Sequence, residues 1–353
     1  MRKILIMALA IVIALAGCGE KRVKSAPEAR PPLGRVIVVG FDGLEPTLVE
    51  KWVAKDELPN FKHLIEGGAF GGLMSVLPPS SAPAWTSAVT GVNPGKHGIY
   101  GFLAGPVPRF DTEAGRGALG SPVFSTSDQR GYEAVWEVLG NFGLRSTLIS
   151  IPLTSPADSL NGLMVAGFPH ASDDTSSYYW PPSLAKYLGD YVYDAFGVVC
   201  AKNKEGDFIA DLVATSTKRL HLGLTLFDET KWDLFWLVFT FTDRYQHYLW
   251  KYMDKNHPMY DAEGGRLYGG AIEAAYRMAD TYLGEFMNKM RDDDLLVIMS
   301  DHGFGPAYCI INSHNFLFRT LGATPEVMCA DFFGCKFRIA VSGPNADEKY
   351  ASL

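Results

Sequence analysis

The chain has 353 residues, 47% apolar and 20% charged, a composition of ordinary globular proteins with ample length for a buried core. Lys and Arg number 32 against 39 Asp and Glu, a net charge of −7 with no basic stripe, which excludes a surface built to grip duplex nucleic acid. Aromatic residues at 12% exclude intrinsic disorder, and the lack of internal repeats excludes coiled coil and collagen.

Met1-Arg2-Lys3 is a short basic head before the apolar run Ile4 to Leu15. That run is too short to cross a bilayer as a helix and suits the core of a signal peptide. It ends in Leu15-Ala16-Gly17-Cys18, which resembles the signal of bacterial lipoproteins. The resemblance implies removal of residues 1–17 and acylation of Cys18, with residues 18–34 as a polar, proline-bearing tether. The protein is then expected on the bacterial cell envelope, lipid-anchored on the exported side of the membrane, in the periplasm or at the cell surface. A plain secretory signal with a chance cysteine is the other reading.

Beyond the tether, strands alternate with helices. Arg35 to Gly40 is a β-branched run without a polar face, as a strand covered on both sides requires. Pro59 to Ile65 reads as a short helix, Gly131 to Leu139 as another, followed by a strand at Ser146 to Ser150. The amphipathic stretch Asp207 to Leu226 leads into a strand, Leu234 to Phe241. Ile272, Ala275, Ala279, Leu283, Phe286 and Met290 recur at helical spacing, predicting one long helix over 266–290 before a buried strand, Leu295 to Met299. This alternation predicts an α/β fold with a mostly parallel sheet in a single domain, 35–353. Stretches 103–130 and 168–206 read as excursions over the active-site face. There is no CxxC pair; Cys329 and Cys335 either close a short loop or remain buried thiols.

In such a sheet, ligands bind beyond the carboxyl ends of the strands. Three strands there run into Asp42-Gly43, into Asp243 with His247 four residues on, and into Ser300-Asp301-His302-Gly303. One strand-end Asp is ordinarily a cap or turn residue. Three of them with two histidines point instead to divalent metal, since imidazole with carboxylate suits Zn²⁺ better than all-oxygen Mg²⁺ or Ca²⁺ sites. Ser80-Ser81-Ala82-Pro83 opens a helix whose N-terminus favours negative charge.

Phe41-Asp42-Gly43, the Ser81-Ala82-Pro83 turn leading to Thr90-Gly91 and His97-Gly98-Ile99, Asp243-x3-His247 and Ser300-Asp301-His302-Gly303 occur in one order over roughly 35–320. Together they resemble the type I phosphodiesterase/nucleotide pyrophosphatase family of the alkaline phosphatase superfamily. The resemblance implies a three-layer sandwich with a mostly parallel central sheet and helices on both faces. It further implies two Zn²⁺ ions, one held by Asp42, Ser81, Asp301 and His302 and the second by Asp243 and His247. Ser81 takes the position of the nucleophile, usually Thr in the family, and forms a phosphoseryl intermediate; adjacent Ser80 is the alternative nucleophile. The implied substrate is a small molecule with a phosphodiester or nucleotide pyrophosphate bond, with a phosphomonoester or phosphonate as the lesser alternative, and no protein partner is expected. The sulfatase pattern would place Arg where this chain has Trp85.

His97 reads as structural support for the nucleophile turn, and Asn93 and Lys96 as solvated loop residues. The family's second zinc has a third ligand, a histidine well beyond the Ser-Asp-His-Gly motif. The only later histidine here is His314, in a context where the family usually has Asn. The chain's last segment does not resemble the family's closing strands, so that part of the domain is expected to be incomplete. The competing function is a non-catalytic envelope lipoprotein that binds phosphorylated ligands on a degenerate site. Aromatics such as Trp85, Tyr100, Phe102, Tyr178, Tyr179 and Trp180 read as core or rim packing, with nucleobase stacking as the other use.

Overall fold

The computed structural model describes residues 34–104, 123–170, 174–194, 200–201 and 203–307. Its strands are β1 (Val36–Phe41), β2 (Leu103–Ala104), β3 (Val123–Phe124), β4 (Ser146–Ile149), β5 (Gly162–Val165), β6 (Tyr179–Trp180), β7 (Leu234–Phe239) and β8 (Leu295–Met299). Six of them form one sheet in the order β6-β5-β4-β7-β1-β8, parallel throughout except for antiparallel β6 at one edge. β2 and β3 make a separate two-stranded ribbon.

The helices follow as α1 (Pro46–Val53), α2 (Pro59–Gly67), α3 (Ser81–Thr90), α4 (Pro94–His97), α5 (Val135–Asn141), α6 (Ala185–Leu188), α7 (Glu205–Glu229), α8 (Phe241–Met253), α9 (Ala262–Tyr268) and α10 (Ala271–Met287). Alternate strand residues point to opposite faces, and each face has its own core. Ile37, Val39 and Phe41 with Phe235, Leu237 and Phe239 bury against Trp52, Phe61, Leu249, Tyr276 and Phe286 of α1, α2, α8 and α10. Val38, Trp236 and Val238 bury on the other side against Trp85 and Val89 of α3 and Trp136 of α5. Each fully buried large side chain contributes about 1.5–3 kcal/mol. Two cores on one sheet make the expected three-layer sandwich.

Several expected elements differ in detail. The helix predicted over 266–290 is broken at Gly269–Gly270 into α9 and α10, since two adjacent glycines forfeit about 2 kcal/mol of helix propensity. The strand predicted to Phe241 ends at Phe239, where Thr240 turns the chain into α8. The helix expected from Gly131 starts at Val135. β8, read as fully buried, is 40% exposed at Leu295 and 37% at Val297, because among the described residues only β1 pairs with it. β5 went unpredicted, and β6 lies inside a stretch read as pure excursion. Cys200 is half-buried. Cys18 with its tether, Cys309, Cys329, Cys335 and His314 lie outside the described residues.

Candidate active site

The three central strands β7, β1 and β8 are neighbours, so their carboxyl tips deliver three aspartates to one place. Asp42 follows β1 directly, its N–H donating to Phe239 O at the tip of β7 (2.8 Å). Asp301 comes two residues after β8 and accepts from Gly43 N–H (Oδ1, 3.1 Å). Gly43 has φ +64°, a conformation costly for residues with a Cβ, and a Cβ there would lie 3.2 Å from Asp243. Ligand atoms of Asp42, Asp243 and His302 all fall within 4.8 Å of one another.

Ser81 is the first residue of α3, with Ser80 as the N-cap. Its Oγ donates to Asp42 Oδ1 (3.2 Å) and lies 3.1 Å from His302 Nε2. His302 Nδ1–H donates to Gly303 O (2.8 Å), which fixes the ring and turns Nε2 toward Ser81 and the aspartates. Trp85, one helical turn after Ser81, is fully buried, and its Nε1–H donates to Asp42 Oδ2 (2.9 Å). Gly40 makes room for that indole, since a Cβ there would come within 2.6 Å of it.

Asp243 and His247 share one face of α8 with Asp243 Oδ1 3.2 Å from His247 Nε2. Two further residues of α8 tie it to the tip of β1: Thr242 Oγ1 donates to Asp42 O (2.5 Å) and Gln246 Nε2 to Gly43 O (2.6 Å). Glu45 closes the circle, accepting from Phe304 N–H (2.9 Å), and the Phe304 ring sits edge-on to His247 at 4.8 Å. The six expected site residues are therefore gathered in one cluster. Asp243 belongs to both of the expected groups, facing Asp42 and His302 on one side and His247 on the other.

The electrostatics of this cluster ask for a cation. Burial, then Asp301 and Asp243, push the Asp42 carboxyl well above the usual carboxylate range. Burial likewise raises Asp301. Burial alone would lower His302, but Asp301, Asp42 and Asp243 overcome it and hold the imidazolium up to about 9. Among the described residues, Asp243 Oδ1 and Asp301 Oδ2 are buried with no hydrogen-bond donor; their histidine contacts at 3.2 and 3.3 Å lack hydrogen-bond geometry. Orphaned carboxylate oxygens beside an imidazole whose Nε2 proton a divalent cation would displace are a set of donors that such a cation satisfies, so the residues present fit a metal.

His97 is the support the sequence suggested: fully buried, it accepts from Ile99 N–H at Nδ1 (3.1 Å) and meets Ser87 Oγ of α3 at Nε2 (2.9 Å). Asn93 and Lys96 are exposed. The roles of Trp85, Gln246 and Glu45 were not anticipated. The signal for Trp85 was its place four residues after Ser81, on the same helical face.

No curated protein matches this chain. Among solved structures it resembles phosphonoacetate hydrolase from Sinorhizobium meliloti 1021 in complex with phosphonoformate, with 19% identity and a TM-score of 0.51 over 82% of this chain and 63% of that one. The same hydrolase with phosphonoacetate matches at 18% identity and a TM-score of 0.51. Murine ectonucleotide pyrophosphatase/phosphodiesterase 5, in an inactive form with AMP, aligns at 16% identity and a TM-score of 0.47, covering 91% of this chain and 69% of that one. The chain thus spans 63% of the length of the hydrolase it resembles, a likeness of fold. The sequence profile of the type I phosphodiesterase/nucleotide pyrophosphatase family matches residues 36–324, and with the motif residues assembled as above, the chain belongs to that family.

Proposed function

We propose that the protein is a metal-dependent hydrolase of phosphoric esters that uses Ser81 as its nucleophile. The observation that carries this reading is the Ser81 hydroxyl, held 3.2 Å from Asp42 and 3.1 Å from His302 at the start of α3. A pure binding protein has no use for a hydroxyl so placed. Divalent cations bound by Asp42, Asp301 and His302 and by Asp243 and His247 would supply Lewis acidity and neutralise the charge of the phosphoryl group. We assign them as two Zn²⁺ ions on the donor types.

Ser81 Oγ attacks phosphorus, forming an Oγ–P bond as the P–O bond to the leaving group breaks. Water then attacks the phosphoseryl group, releasing phosphate or a phosphomonoester and restoring the hydroxyl. The first turn of α3 begins at Ser81, so the positive end of its helix dipole would favour the negative charge of a phosphoryl group bound to that residue. Trp85 and Gly43 hold Asp42 and Asp301 by hydrogen bonds, so little reorganisation accompanies each step. The family supports a phosphodiester or nucleotide pyrophosphate substrate. The same reading places the enzyme on the exported side of a bacterial membrane through acylated Cys18.

Hydrolysis of 4-nitrophenyl phosphate mono- and diesters by the zinc-loaded full chain, against Ser81→Ala, tests the assignment. Loss of turnover with zinc retained is expected. Turnover that survives the substitution would give the nucleophile's role to another group, with Ser80→Ala as the next variant.

A further inference from the structure

A buried ion pair between α7 and the loop after α6 lies at the start of α8, outside the reactive cluster. Arg219 of α7 is 1% exposed, and its Nη2 lies 2.8 Å from Asp194 Oδ2. An ion pair withdrawn from water seldom out-stabilises well-packed apolar side chains of the same volume, so its use is better sought in what it touches. It touches the hinge between β7 and α8. Arg219 Nη1 donates to Val238 O (3.3 Å) and to Thr240 Oγ1 (3.2 Å), and Thr240 Oγ1 in turn donates to Asp194 Oδ2 (3.0 Å).

Thr240 is the N-cap of α8, and its hydroxyl makes no capping bond to its own helix. A threonine at this position ordinarily caps the first turn; here the hydroxyl closes a ring with Arg219 and Asp194 instead. The residue that sets where α8 leaves the sheet is thereby locked from outside. Arg219 also donates from Nε to Tyr191 OH (3.3 Å), and that phenol bonds Ser150 just past β4. The ring is thus anchored to the neighbouring strand as well. On the site side, the same first turns of α8 are tied to Asp42 O and Gly43 O by Thr242 and Gln246. Asp243 and His247 ride on a helix end held from both sides.

We propose that Arg219, Asp194 and Thr240 act as positioning residues that set the exit of α8, and hence hold Asp243 against Asp42 and His302 and present His247 to the same centre. The inference rests on the metal-binding reading of that cluster, but it makes a claim about the metal-free protein too. Outer partners of metal ligands typically govern affinity by about 10–100-fold.

The test compares the full chain with Thr240→Val, which keeps the shape and removes the hydroxyl, with Thr240→Ser, which restores it, and with Asp194→Asn. Zinc affinity is measured by competition with a chromophoric chelator, and the His247 imidazole is followed by ¹H–¹⁵N correlation in metal-free protein. Thr240→Val is expected to weaken the zinc site that His247→Ala abolishes, by about 10-fold or more, and to shift the His247 resonances. Thr240→Ser is expected to recover both. If Asp194→Asn fails to fold, the valine–serine comparison decides. A folded Thr240→Val with wild-type zinc affinity and unmoved His247 resonances would reduce the ring to fold stability and overturn the proposal. A wild-type chain that takes up no zinc would overturn the metal reading, while the metal-free resonances still decide whether the ring positions His247.

Discussion

Trp85 donates its indole N–H to Asp42 Oδ2 at 2.9 Å, joining the helix that starts at Ser81 to the strand tip that the hydroxyl must face. Asp42 Oδ1 meanwhile accepts from Ser81 itself. One carboxylate therefore measures the distance between helix and sheet. Trp85→Phe removes the donor, keeps most of the packing and leaves a buried oxygen unpaired. A stability loss of about 1–3 kcal/mol is expected by chemical denaturation. Zinc affinity is expected to fall by about 10–100-fold.

Proton binding and metal binding compete at this cluster. Asp42 and Asp301 are raised by burial in the metal-free protein, so the folded state holds protons there that the unfolded chain releases. His302, raised to about 9, adds stability below its ordinary value near 6.5 that is lost as the pH climbs toward 9. The metal-free protein should therefore weaken with rising pH, by up to about 1.4 kcal/mol per pH unit for each proton involved. A bound cation replaces those protons. The Tm gap between zinc-loaded and metal-free protein is expected to widen between about pH 6 and about pH 9, the range over which His302 loses its proton; a gap that narrows would refute the cluster's assignment.

His170 behaves in the opposite sense. Its ring stacks on Tyr178 with centroids 4.1 Å apart, both nitrogens are buried without partners among the described residues, and burial lowers its pKa to about 4. The unfolded chain takes up a proton near 6.5 that the folded state refuses, so stability is complete above that value. It is lost as the pH falls from about 6.5 toward 4, at up to about 1.4 kcal/mol per unit. His170→Phe removes the two orphaned nitrogens and keeps the stack. It should raise the Tm and flatten the acid limb of the stability profile; an unchanged limb would exclude His170 as its source.

Gly43→Ala combines two penalties. The φ of +64° costs a residue with a Cβ about 1–2 kcal/mol, and that Cβ meets Asp243 at 3.2 Å. The variant is expected to fold with reduced stability and to lose zinc affinity more than its stability loss would suggest. Thermal melts alongside zinc titration separate the two.

The sheet and the metal-type cluster were legible in the sequence because both rest on local pattern. A β-branched run without polar residues marks a covered strand, and an aspartate at its end marks the tip. Asp42, Asp243 and His302 came from such patterns, and Ser81 from the resemblance to the family. Glu45, Gln246 and Trp85 did not, since each acts on a residue brought near only by the fold: Gln246 reaches Gly43 from 203 positions away. The glycine pair at Gly269–Gly270 was visible but outweighed by the apolar period on either side, and the period misled. The place of β8 at the end of the sheet among the described residues depends on strand order, which composition does not encode.

The register of three neighbouring strands also dictates when the centre can exist. Gly43 and Asp301 meet across 258 positions, and Ser81 and His302 across 221. Contacts so far apart close late, because the intervening chain must surrender its freedom first. A growing chain that has made β1 and Ser81 has no second wall to its site until β8 docks beside them. The emerging polypeptide therefore carries neither a finished cation trap nor an armed hydroxyl. Docking of β8 completes both at once, and a cation bound there would stabilise the closed sheet by an amount that grows with the logarithm of its free concentration.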